Sequence, residues 1–442
     1  MNYKIYKEYK ESNSDWIGLI PVNWNISRLK FLVEIITGST PSKSDDRYYI
    51  NGTFPWVKPD DLKGLIPINS SNILINNEGK RVSRIVPKDS VLVCCIGSLG
   101  KIGVAGTKLA TNQQINALIP NNLIINDFCK YMIVASSSEY EKYANSNVVA
   151  IINKQQQGEL TYPVPSLEEQ KQIANYLDKQ TTKIDETLVK NQKLIQLLEE
   201  KRITLINQVV TKGLNPDIPM KDSGVELIGE IPEHWDVEKL KNISKVIPSN
   251  VDKKSKNNEP SVLLCNYTDV YNNEFITMDL DFMKATATPD QIKKLSLNID
   301  DIIITKDSES VDDIAVPAIV TEKLENVVCG YHLSVIKPNT NIVNPKFLFR
   351  IFESDRINKQ FELGANGVTR FGLGTYPINN AWLCLPPLGE QKEIAVYIDT
   401  ETSKIFKSTD KIIKHNELLE EYKTSLIHNV VTGKVDVRGE EI

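Results

Sequence analysis

Three short stretches of this 442-residue sequence contain residue types that could carry out catalysis. The stretch LPPL (385–388) has the two prolines of the Asn/Asp-Pro-Pro-aromatic motif that DNA amino-methyltransferases usually carry, but it lacks the polar first residue and the final aromatic. The glycines of RFGLGT (370–375) are misplaced for a cofactor-binding F-x-G-x-G loop. The triplet DLK (61–63) offers an aspartate and a lysine, whereas a metal-dependent nuclease also needs a second carboxylate on an adjacent strand. We therefore predict a protein that is not an enzyme, without catalytic residues or a phosphate-binding P-loop.

The cysteines and histidines are too scattered to predict a metal site. No C-x-x-C pair occurs among the six cysteines, and the four histidines form no ligand cluster. Buried thiols in a reducing cytoplasm are the expected arrangement. The polar first residues do not resemble a signal peptide, and no apolar run approaches the length of a membrane span. The sequence predicts a cytoplasmic protein that binds no metal and no membrane.

Charge is unevenly distributed along the chain, whose net charge is −5. Residues 1–165 contain 18 Lys+Arg against 14 Asp+Glu, whereas residues 216–387 contain 18 against 25. A basic first half and an acidic second half do not indicate a simple nucleic-acid binder.

Two internal repeats define the organisation of the chain. The stretch from 167 to 211 matches the stretch from 388 to 432 without a gap at an offset of 221, with about half the positions identical. The stretch IGLIPVNWNISRLK (17–30) matches IGEIPEHWDVEKLK (228–241) at an offset of 211. Each half of the chain therefore consists of an I-G-x-I-P-x-x-W opening motif, a globular body and a long helix.

The long repeat is predicted to be a coiled-coil helix. Prolines precede both copies and acidic residues lie in the first turn, which in the second copy also contains Gly389; after that turn no proline or glycine occurs before Gly213 and Gly433. Apolar residues recur in a heptad pattern, at Leu177, Ile184, Leu198 and Leu205 in the first copy and at Ile398, Ile405, Ile412, Leu419 and Leu426 in the second. A helix of roughly 45 residues is about 65 Å long and cannot bury such a stripe alone. We predict that the two helices pack against each other as an antiparallel coiled coil.

Asn191 interrupts the first apolar stripe and Asn416 lies on the second. Two interpretations stay open for these residues, a buried asparagine that fixes the register of the helices or an asparagine that faces solvent.

The bodies between the helices are predicted to mix α and β structure. SVLVCCIGSLGKIGVAG (90–106) and DDIIITKDSESVDDIAVPAIV (300–320) each combine a buried strand, a loop and a second strand. VVCGYHLSVIKP (327–338) corresponds to LATNQQINALIP (109–120). The predicted fold class is α+β, with two mixed bodies separated by two long helices in a pseudo-twofold arrangement. The predicted domains are 1–165, the first helix at 166–215, the second body at 216–387, and the second helix with the C-terminal tail at 388–442.

The repeated motifs resemble those of a known family. The opening motifs, the P-(P/S)-L-x-E-Q-x-x-I-A helix starts and the late VVTKG and VVTGK stretches are similar to those of DNA-specificity subunits of Type I restriction–modification systems. GSLGKIG, TNQQINALIP and CGYHLSVIKP resemble segments of the target-recognition domains of that family. The resemblance covers essentially the whole chain.

The resemblance implies that each body reads one half of a split double-stranded DNA site and that the helices fix the spacer between the halves. It also implies two methyltransferase subunits and two ATP-dependent restriction and motor subunits as partners. S-adenosylmethionine, ATP and Mg would be bound by those partners, and this chain would hold no cofactor.

Lys and Arg side chains contact phosphates, while Arg, Lys, Asn and Gln read base edges in the major groove. On this basis we expect DNA contacts in the first body from Lys101, Ser98, Arg81, Arg84, Gln113 and Gln114, and in the second body from Lys306, Ser308, Lys253, Lys254, Lys256 and Arg370. Gln113 and Gln114 could equally lie at a subunit interface. Because the second body is acidic, we expect the isolated chain to bind specific DNA weakly.

Two alternatives belong to other functional classes. One is a coiled-coil scaffold that joins proteins and reads no DNA, for which replacement of the loops would leave sequence preference unchanged. The other is a self-sufficient methyltransferase or nuclease, for which the purified chain would have to bind S-adenosylmethionine or a metal.

Overall fold

The computed structural model describes residues 4–42, 45–142 and 150–439. The chain divides into two compact units. Unit 1 comprises Met1–Asn191 and Lys414–Ile442, and unit 2 comprises Gln192–Ile413. Each unit therefore contains one body together with a part of each long helix.

Unit 1 contains thirteen strands and four short helices among its described residues. The strands are β1 (Tyr9–Glu11), β2 (Leu19–Pro21), β3 (Asn25–Arg28), β4 (Val33–Thr37), β5 (Phe54–Val57), β6 (Pro67–Ile68), β7 (Leu74–Ile75), β8 (Ile85–Val86), β9 (Val91–Cys94), β10 (Ile102–Ala105), β11 (Leu109–Thr111), β12 (Ile115–Pro120) and β13 (Thr161–Val164). The helices are α1 (Asn77–Val82), α2 (Asn126–Ala135), α3 (Ser137–Glu141) and α4 (Lys154–Glu159). The first long helix, α5 (Leu167–Lys212), starts in unit 1 and ends in unit 2.

Unit 2 contains fifteen strands and six short helices. The strands are β14 (Met220–Asp222), β15 (Glu230–Pro232), β16 (Asp236–Lys239), β17 (Ser244–Pro248), β18 (Ser261–Cys265), β19 (Phe275–Ile276), β20 (Met283–Thr286), β21 (Ile302–Thr305), β22 (Asp307–Ser308), β23 (Pro317–Val320), β24 (Val327–Cys329), β25 (Leu333–Pro338), β26 (Ala365–Asn366), β27 (Phe371–Leu373) and β28 (Trp382–Leu385). The helices are α6 (Leu240–Ile243), α7 (Tyr267–Tyr271), α8 (Pro289–Leu295), α9 (Pro345–Phe352), α10 (Asp355–Gly364) and α11 (Thr375–Asn380). The second long helix, α12 (Leu388–Val431), starts in unit 2 and ends in unit 1.

The two bodies have the same central sheet although their sequences share little. The strand order is β4-β12-β9-β10-β6 in unit 1 and β17-β25-β21-β23-β19 in unit 2. In both sheets the last pair is parallel and the other pairs are antiparallel. A second sheet contains the parallel pair β5/β11 in unit 1 and β18/β24 in unit 2. Two different sequences thus adopt the same strand order.

The central strand of each sheet explains why the apolar runs fold as they do. Every residue of β9 and of β21 is buried. A continuous apolar run of this length is typical of a strand that is covered on both faces. These strands therefore form the centre of the body and place the loops that follow them at one edge of the sheet.

The long helices run antiparallel to each other where they meet within a unit. In unit 1, Asp185 on α5 forms an ion pair with Lys423 on α12, and Asn191 donates a hydrogen bond of 2.7 Å to Asn416. In unit 2, Ile206 of α5 and Ile398 of α12 lie in the same hydrophobic core. Of the predicted heptad residues, Leu177, Ile184, Ile398, Ile405 and Leu426 are buried, and Leu198, Leu205, Ile412 and Leu419 are half-buried.

A buried glutamine explains the Glu-Gln repeat at the start of each long helix. Gln170 is fully buried, accepts a hydrogen bond from Ile125 N and donates to the carbonyl oxygens of Leu123 and Pro165. Gln391 makes the equivalent set with Asn344 N and with the carbonyl oxygens of Ile342 and Pro386. Each glutamine therefore satisfies three backbone groups that would otherwise be buried without a partner.

The opening tryptophan of each half packs against the glycine that ends a long helix. A Cβ atom at Gly433 would lie 3.1 Å from the ring of Trp24, and a Cβ atom at Gly213 would lie 3.2 Å from the ring of Trp235, so a larger residue would crowd the indole at either position. Both glycines have φ near +75°, the left-handed conformation that commonly ends a helix and that glycine adopts without strain. The indole of Trp235 also donates to Glu390, the neighbour of the buried glutamine. The repeated motifs of the sequence thus meet in space inside each unit.

These features confirm the predicted α+β fold class with two mixed bodies and two long helices. All six cysteines are buried as free thiols, as predicted. None of the helices in the described ranges is long and apolar enough to cross a membrane. The limits of the compact units differ from the predicted domain limits because each long helix contributes to both units.

Candidate nucleic-acid interface

The loops of each body converge at one edge of its central sheet. In unit 1 the register pairs Ile115 with Cys94 and Asn116 with Thr37, so the end of β4, the loop between β9 and β10, and the start of β12 lie side by side. The same edge in unit 2 joins the end of β17, the loop after β21 and the start of β25. Side chains on these loops are presented together.

A polar cleft of about 410 Å³ opens at this edge of unit 1. It is lined by Thr40, Trp56, Lys58, Pro59, Asp60, Ile96, Gly97, Ser98, Asn112, Gln113 and Gln114. Three of the predicted contact residues, Ser98, Gln113 and Gln114, therefore lie together although they come from two separate loops.

Hydrogen bonds orient the amides of this cleft. Asn112 is buried and donates from Nδ2 to Oε1 of Gln114 at 2.8 Å. Thr40 donates its hydroxyl hydrogen to Oε1 of Gln113, whose side chain is exposed. Besides the lone pair that accepts from Thr40, Oε1 of Gln113 has a second lone pair, and Nε2 is a donor. A glutamine amide uses such an acceptor and donor to pair with N6 and N7 of adenine.

The predicted basic residues of unit 1 lie outside the cleft lining. Arg84 is exposed, but its guanidinium donates from Nη1 to the carbonyl oxygen of Thr37 at 2.8 Å, beside the cleft residue Thr40. Arg81 is exposed at the end of α1, and Lys101 is exposed where the β9–β10 loop ends. Burial raises the pKa of Cys95, which precedes this loop, to about 12, so that its thiol stays protonated.

Unit 2 repeats the backbone of this edge with different side chains. Cys95 N donates to Gln114 O at 2.7 Å in unit 1, and Lys306 N donates to His332 O at 2.9 Å in unit 2. Ile115 N donates to Asn112 O, and Leu333 N donates to Gly330 O. Tyr331 and His332 therefore occupy the positions of Gln113 and Gln114.

Two of the predicted contacts in unit 2 are occupied within the protein. Lys306 is half-buried and donates from Nζ to the carbonyl oxygen of Ser249 at 2.9 Å. Ser308 is buried, and its hydroxyl oxygen accepts a hydrogen bond from Ser310 N. The pairing of β22 with β27 helps to bury Ser308, whereas Lys306 is half-buried and its ammonium group is already bonded.

The other predicted residues of unit 2 are exposed. Lys253, Lys254 and Lys256 follow β17, and Lys256 forms an ion pair with Glu259. Arg370 precedes β27, and its Nη2 lies 3.3 Å from Nδ1 of His332. Of these four residues, Arg370 is the one in contact with the Tyr331–His332 loop.

Several residues of this edge were not selected from the sequence. Nδ1 of His332 lies 2.7 Å from Oδ2 of Asp307. The imidazole ring of His332 also packs against the ring of Tyr331. The correspondence of 327–338 with 109–120 was a signal that could have identified Tyr331 and His332 as counterparts of the two glutamines. Thr40 and Lys58 had no such signal, because they enter the cleft from elements far away in sequence.

The described residues contain no group of three His, Cys, Asp or Glu side chains arranged to hold a metal ion. The two edges present amide, hydroxyl, imidazole and guanidinium groups. The guanidinium can donate hydrogen bonds to a ligand, and the other three groups can both donate and accept them.

Curated proteins of similar sequence extend over nearly the whole chain. The Type I restriction enzyme MjaIX specificity subunit of Methanocaldococcus jannaschii is 26% identical over 97% of this chain and 97% of its own length. The MjaVIII specificity subunit of the same organism is 24% identical over 98% of both. The EcoKI specificity subunit of Escherichia coli is 22% identical over 90% of this chain and 85% of its own length.

Two solved structures share the fold. One, from a study of complex assembly and conformational transition in the type I R-M system, has a TM-score of 0.70 and 13% identity over 96% of this chain and 99% of its own. The HsdS subunit from Thermoanaerobacter tengcongensis has a TM-score of 0.51 and 12% identity over 94% of this chain and 98% of its own.

The model of the Type I restriction modification DNA specificity domain matches the chain twice, at residues 21–199 and 232–417. The two matches fall on the two halves that the internal repeats define, and together they include most of the sequence. The chain therefore belongs to the family of Type I restriction–modification DNA specificity proteins.

Proposed function

We propose that this chain is the DNA-reading subunit of a Type I restriction–modification complex and that it recognises a split double-stranded site. The body of unit 1 would read one half of the site and the body of unit 2 the other. The long helices would fix the unspecified spacer between the halves, since DNA readers that act in pairs need a defined half-site spacing.

One observation carries this proposal. The two bodies share a strand order and equivalent backbone hydrogen bonds at the loop edge, yet the side chains before the last long strand of that edge differ. Gln113 and Gln114 stand in one body where Tyr331 and His332 stand in the other. A constant frame with different polar groups at one edge is what two readers of different base sequences require, because base edges are distinguished by their pattern of donors and acceptors.

Catalysis is assigned to partner subunits. The proposal includes two methyltransferase subunits that bind S-adenosylmethionine, and two motor and restriction subunits that use ATP and Mg. The exposed apolar side chains Val396, Phe406 and Ile413 on α12 are available for contacts with such proteins. The isolated chain is expected to bind its site weakly, because phosphate contacts from the partners would supply much of the affinity.

The test is a map of modified bases. The chain is co-expressed with its methyltransferase subunit in a host without DNA methylation, and N6-methyladenine is located by sequencing. We expect a split motif with one fixed gap, and replacement of the cleft amides Gln113 and Gln114 by alanine should change one half of that motif alone. A stable, catalytically active complex without sequence preference would favour the scaffold alternative, and S-adenosylmethionine binding by the chain alone would favour the self-sufficient enzyme.

A further inference from the structure

We propose that Arg370, positioned by His332 and Asp307, reads a guanine in the half-site that unit 2 recognises. This inference rests on the proposed function and adds to it a residue and a base. It concerns the edge of unit 2 where the loops after β21 and before β25 meet.

Strand pairing brings Arg370 to this edge from a distant part of the chain. β22 pairs with β27 so that Ser308 lies opposite Phe371, the residue that follows Arg370. β27 also pairs with β26, and the hairpin between them holds Arg370 close to the strand ends. The arginine is therefore attached to the sheet by hydrogen-bonded strands on both sides of its loop.

The side chain of Arg370 is exposed, whereas the groups beneath it are largely covered. The His332 side chain is 15% exposed and that of Asp307 is 27% exposed, and 2.7 Å separates Nδ1 of the imidazole from Oδ2 of the carboxylate. Nη2 of Arg370 lies 3.3 Å from Nδ1 and 3.5 Å from Nε2 of the same ring. The imidazole, held by Asp307, therefore serves as a platform that fixes one end of the guanidinium.

The guanidinium of Arg370 forms no ion pair with a carboxylate among the described residues. Across the described residues, no carboxylate oxygen lies within ion-pair distance of Arg370, in contrast to Arg350, which contacts three carboxylates. Lys306 donates to a backbone carbonyl and Ser308 is buried, so both are already committed. Arg370 is thus an exposed cationic donor that contacts the Tyr331–His332 loop and whose charge is not neutralised by an ion pair.

The base follows from the chemistry of the donor. Arginine has N–H donors in a planar fork and no acceptor. In the major groove guanine presents two acceptors, O6 and N7, which match this fork, whereas cytosine presents an amino donor and adenine presents one donor beside one acceptor. An oriented arginine therefore selects guanine. The amides at the corresponding edge of unit 1 suit adenine, so the two bodies should differ in the bases they accept.

The first experiment uses the full chain with its methyltransferase subunit and compares methylation motifs of the wild type and variants. We expect the unit 2 half of the motif to contain a guanine that Arg370→Gln no longer requires, with the other half unchanged. Loss of a bidentate pair should reduce discrimination at that position roughly 5- to 150-fold.

Arg370→Lys, which keeps the charge, should also lose discrimination. His332→Gln should relax the same position more weakly, as expected of a positioning residue. Lys323→Gln, at the opposite edge of the sheet, is the matched control and should leave the motif unchanged.

The second experiment does not depend on how a variant folds. The wild-type complex is bound to duplexes in which 7-deazaguanine replaces each guanine of the unit 2 half-site in turn. One replacement should weaken binding, because it removes the N7 acceptor. A half-site without guanine, or a motif that keeps its guanine in Arg370→Gln, would overturn the inference and leave the proposed function standing. A wild-type complex that methylates without any split motif would overturn the proposed function itself.

Discussion

Asn191 donates a hydrogen bond of 2.7 Å from Nδ2 to Oδ1 of Asn416, in the seam where the two long helices pack within unit 1. Both residues are half-buried, and Nδ1 of His415 lies 3.2 Å from the same amide. The two asparagines that interrupt the heptad pattern therefore face each other. A polar pair inside an apolar seam is satisfied in one register only, and it fixes that register at some cost in stability.

We expect the two asparagines to be energetically coupled. Asn416→Leu should lower the free energy of unfolding of unit 1 by about 1 kcal/mol, because it leaves the half-buried amide of Asn191 without its acceptor. The double variant Asn191→Leu/Asn416→Leu should recover this loss, because two apolar side chains suit the seam. A double-mutant cycle by urea unfolding measures the coupling, and strictly additive effects would show that the pair does not fix the register.

The buried glutamines at the helix starts predict a second effect. Gln170→Ala should destabilise unit 1, and Gln391→Ala unit 2, by about 1–3 kcal/mol, because each leaves three backbone groups without partners. Hydrogen exchange measured by mass spectrometry can assign the loss to one unit. Lys171→Ala and Lys392→Ala, at the exposed neighbouring positions, are matched controls that should change stability by less than about 0.5 kcal/mol. Equal effects of glutamine and lysine variants would refute this role.

Much of the fold could be predicted because local sequence patterns determine the two long helices. The heptads, the absence of Pro and Gly beyond the first turn, and the glycines at 213 and 433 determine the long helices, and α5 and α12 begin at Leu167 and Leu388 within the predicted repeat. The repeat itself requires two similar halves. What local patterns left open was the environment of Asn191 and Asn416, because it depends on the alignment of two segments more than 200 residues apart.

The site was harder to predict for the same reason. Ser308 looked accessible in a polar loop, but it is buried because β22 pairs with a strand more than 60 residues later. His332 gave no signal alone, and its importance comes from Asp307 and Arg370, which reach it only through the sheet. Ser98 was predicted with Lys101 from the glycine turn and Gln113 with Gln114 from a separate stretch, and the structure brings Ser98 and the two glutamines into one cleft because both stretches adjoin buried strands.

A buried ion cluster attaches the second body to its helix, and it predicts a third effect. Arg350 on α9 is 2% exposed and contacts Glu274, Glu353 and Asp399, the last of which lies on α12. Arg350→Met should destabilise unit 2 by about 3 kcal/mol, because the three half-buried carboxylates then keep only Arg202 and Lys346 as cationic partners among the described residues. Burial raises the pKa of Glu274, so that the carboxyl of this residue should protonate more readily in the variant. Hydrogen exchange measured by mass spectrometry gives the decrease in the free energy of unfolding of unit 2.

The control for Arg350 lies on the same helix. Lys346 reaches the same Asp399 at 3.7 Å but is 60% exposed, so Lys346→Met should cost less than about 1 kcal/mol. In unit 1 the corresponding attachment is a hydrogen bond of 2.6 Å from Tyr131 to Asp178, and Tyr131→Phe should cost about 1 kcal/mol. If Arg350→Met were as mild as these two, the cluster would not be what holds the body to the helix.

A histidine near the end of α12 predicts that unit 1 is sensitive to acid. Burial, together with the nearby Lys434, lowers the pKa of His428 below its usual value near 6.5. The folded state therefore binds this proton less tightly than the unfolded chain does. The contribution of His428 to stability is complete above pH 6.5 and is lost as the pH falls below that value. Unfolding midpoints of unit 1 between pH 7.5 and 5.5 should decrease in the wild type and change less in His428→Gln.

The repeat supplies the internal control for this pH dependence. At the offset of 221 the counterpart of His428 is Asn207, which does not titrate and which exchanges two hydrogen bonds with Asp355 in unit 2. Hydrogen exchange across the same pH range should therefore show that His428→Gln alters the pH response of unit 1 and leaves that of unit 2 as it was. A wild-type and a variant unit 1 with parallel pH profiles would mean that other groups cause the acid sensitivity. Because His428→Gln changes a single side chain, a difference between the wild-type and variant profiles of unit 1 would be traced to His428.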